Sequence, residues 1–217
     1  MTLDGPAGAG KSSVAKRLAK RLNFHYLDTG ALYRAMAYCM DQKGIPPGES
    51  ARLTEYLGSM RVRLDGNGVF VNEEDVGGLI RSARVDETVS AYSALKPVRE
   101  ALLGLQRDQA NYGNLVTDGR DMGTVVFPDA DVKFFLTAVP EARAERRYKE
   151  LLKKGEPVLY DDVLAQMRER DRIDAGRELA PLREPADSIH VDTSYMTEDE
   201  VVDQLAAVVR SKAAQEF

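Results

Sequence analysis

Val14, Leu18 and Leu22 recur every four residues with Ala15 and Ala19 beside them, which predicts a helix with one apolar stripe. Asn23 is placed to close it as a left-handed cap. Short apolar runs at Phe24–Leu27, Leu115–Thr117, Val132–Thr137 and Ile189–Val191 read as strands, and a further short strand precedes the first helix. Helical stretches lie between them. Pro97 suits the first turn of a helix running to about Tyr112, and Pro140 opens another that runs toward Lys154 and Gly155. The last helix starts at a capping box, Thr197-Glu198-Asp199-Glu200, and continues through Val201, Leu205, Val208 and Val209. Alternating strands and helices predict an α/β fold: a parallel sheet flanked by helices.

One stretch breaks the rhythm. Arg61–Asp65 alternates, Gly66-Asn67-Gly68 turns, and Val69–Val71 alternates again, the pattern of a hairpin. It follows the rigid break Ile45-Pro46-Pro47-Gly48, so residues 45 to 88 read as an α+β insert on the main core.

Where the first strand meets the first helix, Gly5-Pro6-Ala7-Gly8-Ala9-Gly10-Lys11-Ser12 fits G-x-x-x-x-G-K-[ST], with Ser13 following. Each fixed position has a physical role in holding a nucleoside triphosphate. The glycines let backbone N–H groups turn inward onto phosphate oxygens. Lys11 brings a charge to the β and γ oxygens, Ser12 supplies a hydroxyl for Mg²⁺, and the helix N-terminus adds its dipole. A bare glycine-rich turn is the alternative reading. Only Met1, Thr2 and Leu3 precede Asp4, so the strand feeding this loop is short.

Composition narrows the picture. A chain of 217 residues, 43% hydrophobic and 30% charged, holds enough apolar material for one main domain plus an insert. The formal charge of −5 argues against a protein that coats nucleic acid, so phosphates must be met by local arginines. Cys39 is the single cysteine, which points to a reducing compartment. No run is long and apolar enough to span a membrane, no signal-peptide pattern occurs, and a cytoplasmic protein is expected.

Other segments could carry chemistry. Leu115-Val116-Thr117-Asp118 is a strand ending in a carboxylate, which makes Asp118 a candidate for the Mg²⁺ shell or, equally, a turn cap. Arg120 lies on a sharp turn at the carboxyl edge of the sheet, where α/β proteins bind ligands; a surface salt bridge is the alternative. Thr29, Gly30 and Arg34 would suit a second phosphate, or form a plain helix start. Arg143, Arg146, Arg147, Arg168, Arg170, Arg172 and Arg177 are interleaved with acids, the pattern of a solvated helical face. The stretch from about Arg143 to Arg177 is expected to form a mobile arginine-rich lid, with few large apolar anchors to resist opening, and a minority of its arginines to be catalytic. His25 and His190 fall inside strands without ligand-like neighbours and are expected in the core or sheet.

Taken together, Asp4–Ser12, Leu27–Arg34, Asp118–Pro128, Arg170–Asp174 and Ala180–Leu182 resemble the nucleoside monophosphate kinases, and within them the bacterial cytidylate kinases. The similarity covers essentially the whole chain. It implies a single domain over 1–217 with a five-stranded parallel sheet of the P-loop type. The core would comprise residues 1–30, 89–143 and 180–217, the monophosphate-binding region 31–88, and a helical lid with its following helix 144–179. ATP would be held by Gly5, Pro6, Ala7, Gly8, Ala9, Gly10, Lys11, Ser12, Ser13 and Arg146, and Mg²⁺ by Ser12 and Asp118. Thr29, Arg34, Ser90, Arg99, Arg120, Asp121, Asp174 and Arg177 would take CMP or dCMP. Lys11, Arg120, Asp121 and Arg170 would be the catalytic set. Thr29 stands where a serine is also common, which keeps the hydroxyl.

The implied chemistry is self-consistent. Cytosine offers an N4 donor and an N3 acceptor, complementary to a carboxylate plus Arg or Ser donors, whereas uracil reverses both. The accepting phosphate oxygen is already anionic, so no general base is required. Rival readings are a kinase for UMP, AMP or dTMP, and a P-loop switch. The switch expects an Asn-Lys-x-Asp guanine reader, which does not occur in the chain. Neither nucleic acid nor membrane is expected as a partner, and nothing in the sequence demands more than a monomer.

Overall fold

In the structure, a computed structural model that describes residues 1–65 and 68–214, the chain starts β1 (Thr2–Asp4), α1 (Lys11–Leu22), β2 (His25–Asp28), α2 (Thr29–Gln42) and α3 (Ala51–Ser59). It continues through β3 (Val62–Asp65), β4 (Gly68–Val71), β5 (Glu74–Asp75), α4 (Ala83–Ser93) and α5 (Lys96–Asp108). Then follow β6 (Leu115–Gly119), β7 (Lys133–Thr137), α6 (Pro140–Lys153), α7 (Tyr160–Gly176), β8 (Ile189–Asp192) and α8 (Glu198–Ala213). Two compact units result: residues Met1–Leu27 with the chain from Gln109 onward, and residues Asp28–Asp108.

The first unit is built on a five-stranded parallel sheet in the order β2-β6-β1-β7-β8. Leu3 lies opposite Asp118 on one side and Phe134 on the other, so β1 is the buried central strand. Central strands of such sheets are covered on both faces and read as apolar runs. Leu3, Leu18, Val116, Phe134, Leu136 and Leu205 all sit in one buried cluster. Burying a leucine side chain fully is worth about 2 kcal/mol.

The predicted end signals hold. Asn23 caps α1 at φ 57°, ψ 44°, and its backbone N–H donates to the carbonyls of Ala19 and Lys20. The Thr197 hydroxyl accepts from the Glu200 N–H while the Glu200 carboxylate accepts from the Thr197 N–H, closing the capping box of α8. His25 and His190 are strand residues, as expected, but both are exposed and neither belongs to the core.

In the second unit α2 packs against α4, and α5 lies against α2, α3 and α4. The hairpin is present, β3 antiparallel to β4 with Val62 opposite Val71. Of its predicted turn, Gly66 and Asn67 lie outside the described residues. A third strand that the sequence pattern does not reveal, β5, pairs with β4 through Phe70–Asp75 and Val71–Glu74.

Candidate active site

The loop from β1 to α1 packs tightly against β7. A Cβ on Gly5, at φ 147°, would lie 1.9 Å from the Leu136 carbonyl oxygen, so only glycine allows that approach. A Cβ on Gly8 would lie 2.4 Å from Met167 Cε of α7. Gly10, at φ 86°, precedes Lys11, the first residue of α1, and the Ser13 hydroxyl donates back to its carbonyl at 3.1 Å. Pro6, Ala7 and Ala9 complete the curl, and Lys11 Nζ donates to the Pro6 carbonyl at 2.7 Å.

Adjacent strand ends bring the second element of the site. Asp118, near the end of β6, is 3% exposed. Its Oδ2 accepts the Ser12 hydroxyl at 2.6 Å and its Oδ1 the Tyr26 hydroxyl at 2.9 Å. A hydroxyl and a carboxylate, both hard oxygen donors, fit Mg²⁺, which takes one or two protein oxygens and completes its shell with phosphates and water. Among the described residues no group of three His, Cys, Asp or Glu side chains could hold another metal.

Cations then converge on the loop. Burial is the largest force holding the Lys11 ammonium well below its ordinary pKa, with the charge of Arg120 next; Arg170 adds to them, and Asp118 and Asp174 pull the other way. The buried Lys11 ammonium thus shares its surroundings with two guanidiniums and two carboxylates. A polyanion set among the cations would relieve their repulsion.

Arg120 is not a surface salt bridge. Its Nε donates to Asp174 Oδ2 at 2.7 Å, and Arg177 pairs with the other carboxylate oxygen. Burial alone would raise the Asp174 pKa, but Arg120, Arg177 and Arg170 outweigh it and hold the carboxyl below its usual value. The main-chain carbonyl of Asp174 also accepts from the Leu182 N–H at 2.8 Å, which ties the residue to the Ala180–Leu182 segment.

Asp121 follows β6 and is 2% exposed. Its carbonyl accepts from Val125 and Val126, opening a π-helical turn, Met122–Val126. Such turns are rare and concentrate at functional sites. The turn rests on a residue that sequence reasoning left without a role: Asp4, 0% exposed, accepts the N–H groups of Met122 and Gly123 at 2.9 and 2.7 Å. Burial, the largest influence, raises its pKa to about 6 against the lowering effect of those two bonds.

Beside the loop opens a cavity of 340 Å³ whose lining includes Gly8, Gly10, Ser13, Arg146, Thr193 and Met196. Arg146 Nη1 donates to the Thr193 hydroxyl at 3.2 Å and its Nη2 to the Thr193 carbonyl, while the Thr193 hydroxyl donates to the Ala9 carbonyl at 3.1 Å. Thr193 was not legible as a site residue because a threonine after a strand carries no signal of its own.

The structure corrects the expectation of a weakly anchored lid. Ala7 of the loop, Ala144 and Leu151 of α6, and Val163 and Met167 of α7 form a buried apolar cluster, flanked by Tyr148, Val158, Tyr160 and Leu164. Arg143 is likewise no member of a solvated face. It is 4% exposed, its Nε donates to the Ala138 carbonyl at 2.8 Å and its Nη1 to the Ala7 carbonyl at 3.0 Å, and it pairs with Asp171 at 2.7 Å. Arg168 and Arg172 do form exposed pairs, with Glu141 and Glu169.

In the second unit Thr29 opens α2 and is 1% exposed. Arg34, one turn further on, pairs with Asp86 of α4 and donates to the Ile80 carbonyl at 3.4 Å. Ser90 is buried in α4. Arg99 of α5 donates to the Ser93 carbonyl at 3.1 Å and lies over the Tyr33 ring at 5.4 Å.

A parallel sheet with a glycine-rich phosphate loop, a lysine, a hydroxyl–carboxylate pair and converging arginines defines a P-loop kinase. The fold agrees with that of a gluconokinase from Sinorhizobium meliloti, with a TM-score of 0.53 and 16% identity over 100% of this chain and 94% of that one. Residues 1–211 match the cytidylate kinase family, and the chain belongs to it. A cytidylate kinase of Caldanaerobacter subterraneus subsp. tengcongensis is 46% identical over 217 residues, covering 100% of this chain and 97% of the relative. One from Clostridium tetani is 43% identical over 216 residues, covering 100% and 96%.

Proposed function

We propose that the protein transfers the γ-phosphoryl group of ATP to CMP, and to dCMP, giving the diphosphate and ADP. The observation that carries this reading is the glycine-rich loop that leads into the buried Lys11 at the head of α1, beside the Ser12–Asp118 pair, an arrangement that suits a triphosphate. The relatives named as cytidylate kinases support CMP as the acceptor.

The loop residues 5–13 hold the triphosphate through backbone N–H groups, with Lys11 at the β and γ oxygens. Arg146 and Thr193 line the cavity that receives the donor base. Arg34 and Arg120 are assigned to the acceptor phosphate, and Ser90, Arg99 and Asp121 to the pyrimidine. Thr29, Asp174 and Arg177 are assigned to the acceptor's sugar and phosphate. Ser12 and Asp118 would hold Mg²⁺, which when bound neutralises charge on the β and γ oxygens. The phosphoryl group moves to an anionic acceptor oxygen, so the side chains align and screen charge and none takes a proton. Arg170 offsets charge on the transferring group, and the helices α6 and α7 exclude water that would otherwise accept it.

No described helix is long and apolar enough to cross a membrane. We place the enzyme in the cytoplasm as a monomer, consistent with its single buried cysteine.

Asp121 tests the acceptor assignment. Asp121→Asn adds a donor where the site needs an acceptor, so the preference for CMP over UMP should shrink by about tenfold or more. Equal loss on both substrates would assign Asp121 to orientation or folding instead.

A further inference from the structure

Asp4 ends the central strand one residue before Gly5, with no exposed surface. Burying a carboxylate costs free energy unless strong bonds offset it. Here both oxygens are used: Oδ1 accepts from Met122 at 2.9 Å and Oδ2 from Gly123 at 2.7 Å, across 118 and 119 residues of chain. The approach is built in. A Cβ on Gly123 would stand 3.0 Å from both Pro185 Cγ and Thr2 Oγ1, so a side chain there would push those neighbours back by a few tenths of an ångström. Asp121 stands at the start of the π-helical turn that contains these two N–H groups, with Arg120 just before it.

We propose that Asp4 is a positioning residue for acceptor selection: its carboxylate clamps the backbone of Met122 and Gly123 and so fixes the segment that carries Arg120 and Asp121. The clamp also joins the end of the strand that feeds the phosphate loop to the segment assigned to the acceptor. One carboxylate thus sets the spacing between donor and acceptor machinery within the first unit. This inference rests on the reading of Asp121 as the residue that meets the pyrimidine.

Asp4→Asn is the direct test, because it keeps the shape but turns one accepting oxygen into an amide that faces an N–H. Losing one charge-assisted bond should raise KM for CMP about tenfold and lower the CMP-over-UMP ratio of kcat/KM by about tenfold. KM for ATP should stay within about twofold, and kcat at saturating substrates should fall less than KM rises. Combined with Asp121→Asn, the Asp4 change should cost no further selectivity. Independent, additive losses would overturn the proposal, as would parallel rises in both KM values with a lowered thermal midpoint. If Asp121→Asn shrinks the ratio and Asp4→Asn does not, the inference about Asp4 alone fails. If Asp121→Asn leaves the ratio unchanged, the base-reading assignment fails and the inference falls with it.

A second measurement needs only the wild-type chain and covers the case of a variant that does not fold. Amide hydrogen exchange at Met122 and Gly123 should be slow without nucleotide and unchanged by CMP, since the clamp is complete in the protein alone. Protection acquired only with CMP would mean that the substrate, not Asp4, orders the segment, and would overturn the proposal.

Discussion

Replacing Asp174 with Asn keeps its volume and removes its charge from beneath two guanidiniums. The Asp174 side chain is 2% exposed and those of Arg120 and Arg177 are 17% and 5% exposed. Water therefore screens little of the interaction, and both arginines lose their carboxylate when it goes. Removing one partner of a buried ion pair costs about 3–5 kcal/mol. Arg120 keeps some access to water, so the lower end, about 3 kcal/mol, is expected. At about 2–4 °C per kcal/mol for a chain of this size, the thermal midpoint at pH 7 should fall by roughly 6–12 °C. The pH dependence has a definite sign. Arg120, Arg177 and Arg170 hold the folded pKa of Asp174 below its ordinary value of 3.8, so its contribution is complete above that value. As pH falls from 3.8 through the lower folded value the contribution is lost, and the wild-type and variant midpoints should converge. Thermal unfolding followed by circular dichroism across this range gives both numbers. A midpoint within about 2 °C of wild type at pH 7, or a gap that widens in acid, would refute the reasoning.

Lys11→Ala should lower kcat by about two to three orders of magnitude while changing KM for CMP little, because its charge meets the transferring phosphate; initial rates would show this, and equal losses in both would mark Lys11 as a general binding residue. Hydrogen exchange with and without ATP plus CMP should show added protection over residues 147 to 165, more than in β6, as α6 and α7 close over the nucleotides. Because Leu151 and Val163 already lie in the apolar cluster, the gain should concentrate around Gly155, which joins the two helices at φ 77°. Unchanged exchange there would return those arginines to the plain helical-face reading.

What the sequence revealed was mostly local. The stripe of Val14, Leu18 and Leu22, the left-handed Asn23, Pro140 and the Thr197 capping box each encode their element within a few residues, and each is found where its pattern placed it. The phosphate loop was legible for the same reason, since Gly5, Lys11 and Ser12 act over eight consecutive positions. What escaped depends on distant partners. The two residues of β5 are a strand only because β4 lies alongside. The π-helical turn after Asp121 is supported by Asp4, more than a hundred residues earlier. Arg143 looks like its neighbours in a charged helix, yet acceptors from Ala7, Ala138 and Asp171 draw it inside. Leu151, Val163 and Met167 are spread over two helices and form one cluster only when α6 and α7 pack. The second unit runs from Asp28 to Asp108, wider than the hairpin pattern suggests, because α4 and α5 pack with α2.

The central claim is phosphoryl transfer from ATP to a cytidine monophosphate, and turnover on a panel of monophosphates tests it most directly. CMP, dCMP, UMP, AMP and dTMP would each be offered with ATP and Mg²⁺, with ADP release followed by a coupled assay and the product identified by mass. The account predicts ADP and CDP in equal amounts, and a kcat/KM for CMP at least about tenfold above that for UMP, AMP and dTMP. Preference for one of those three, or ADP formed with free phosphate in place of CDP, would contradict it.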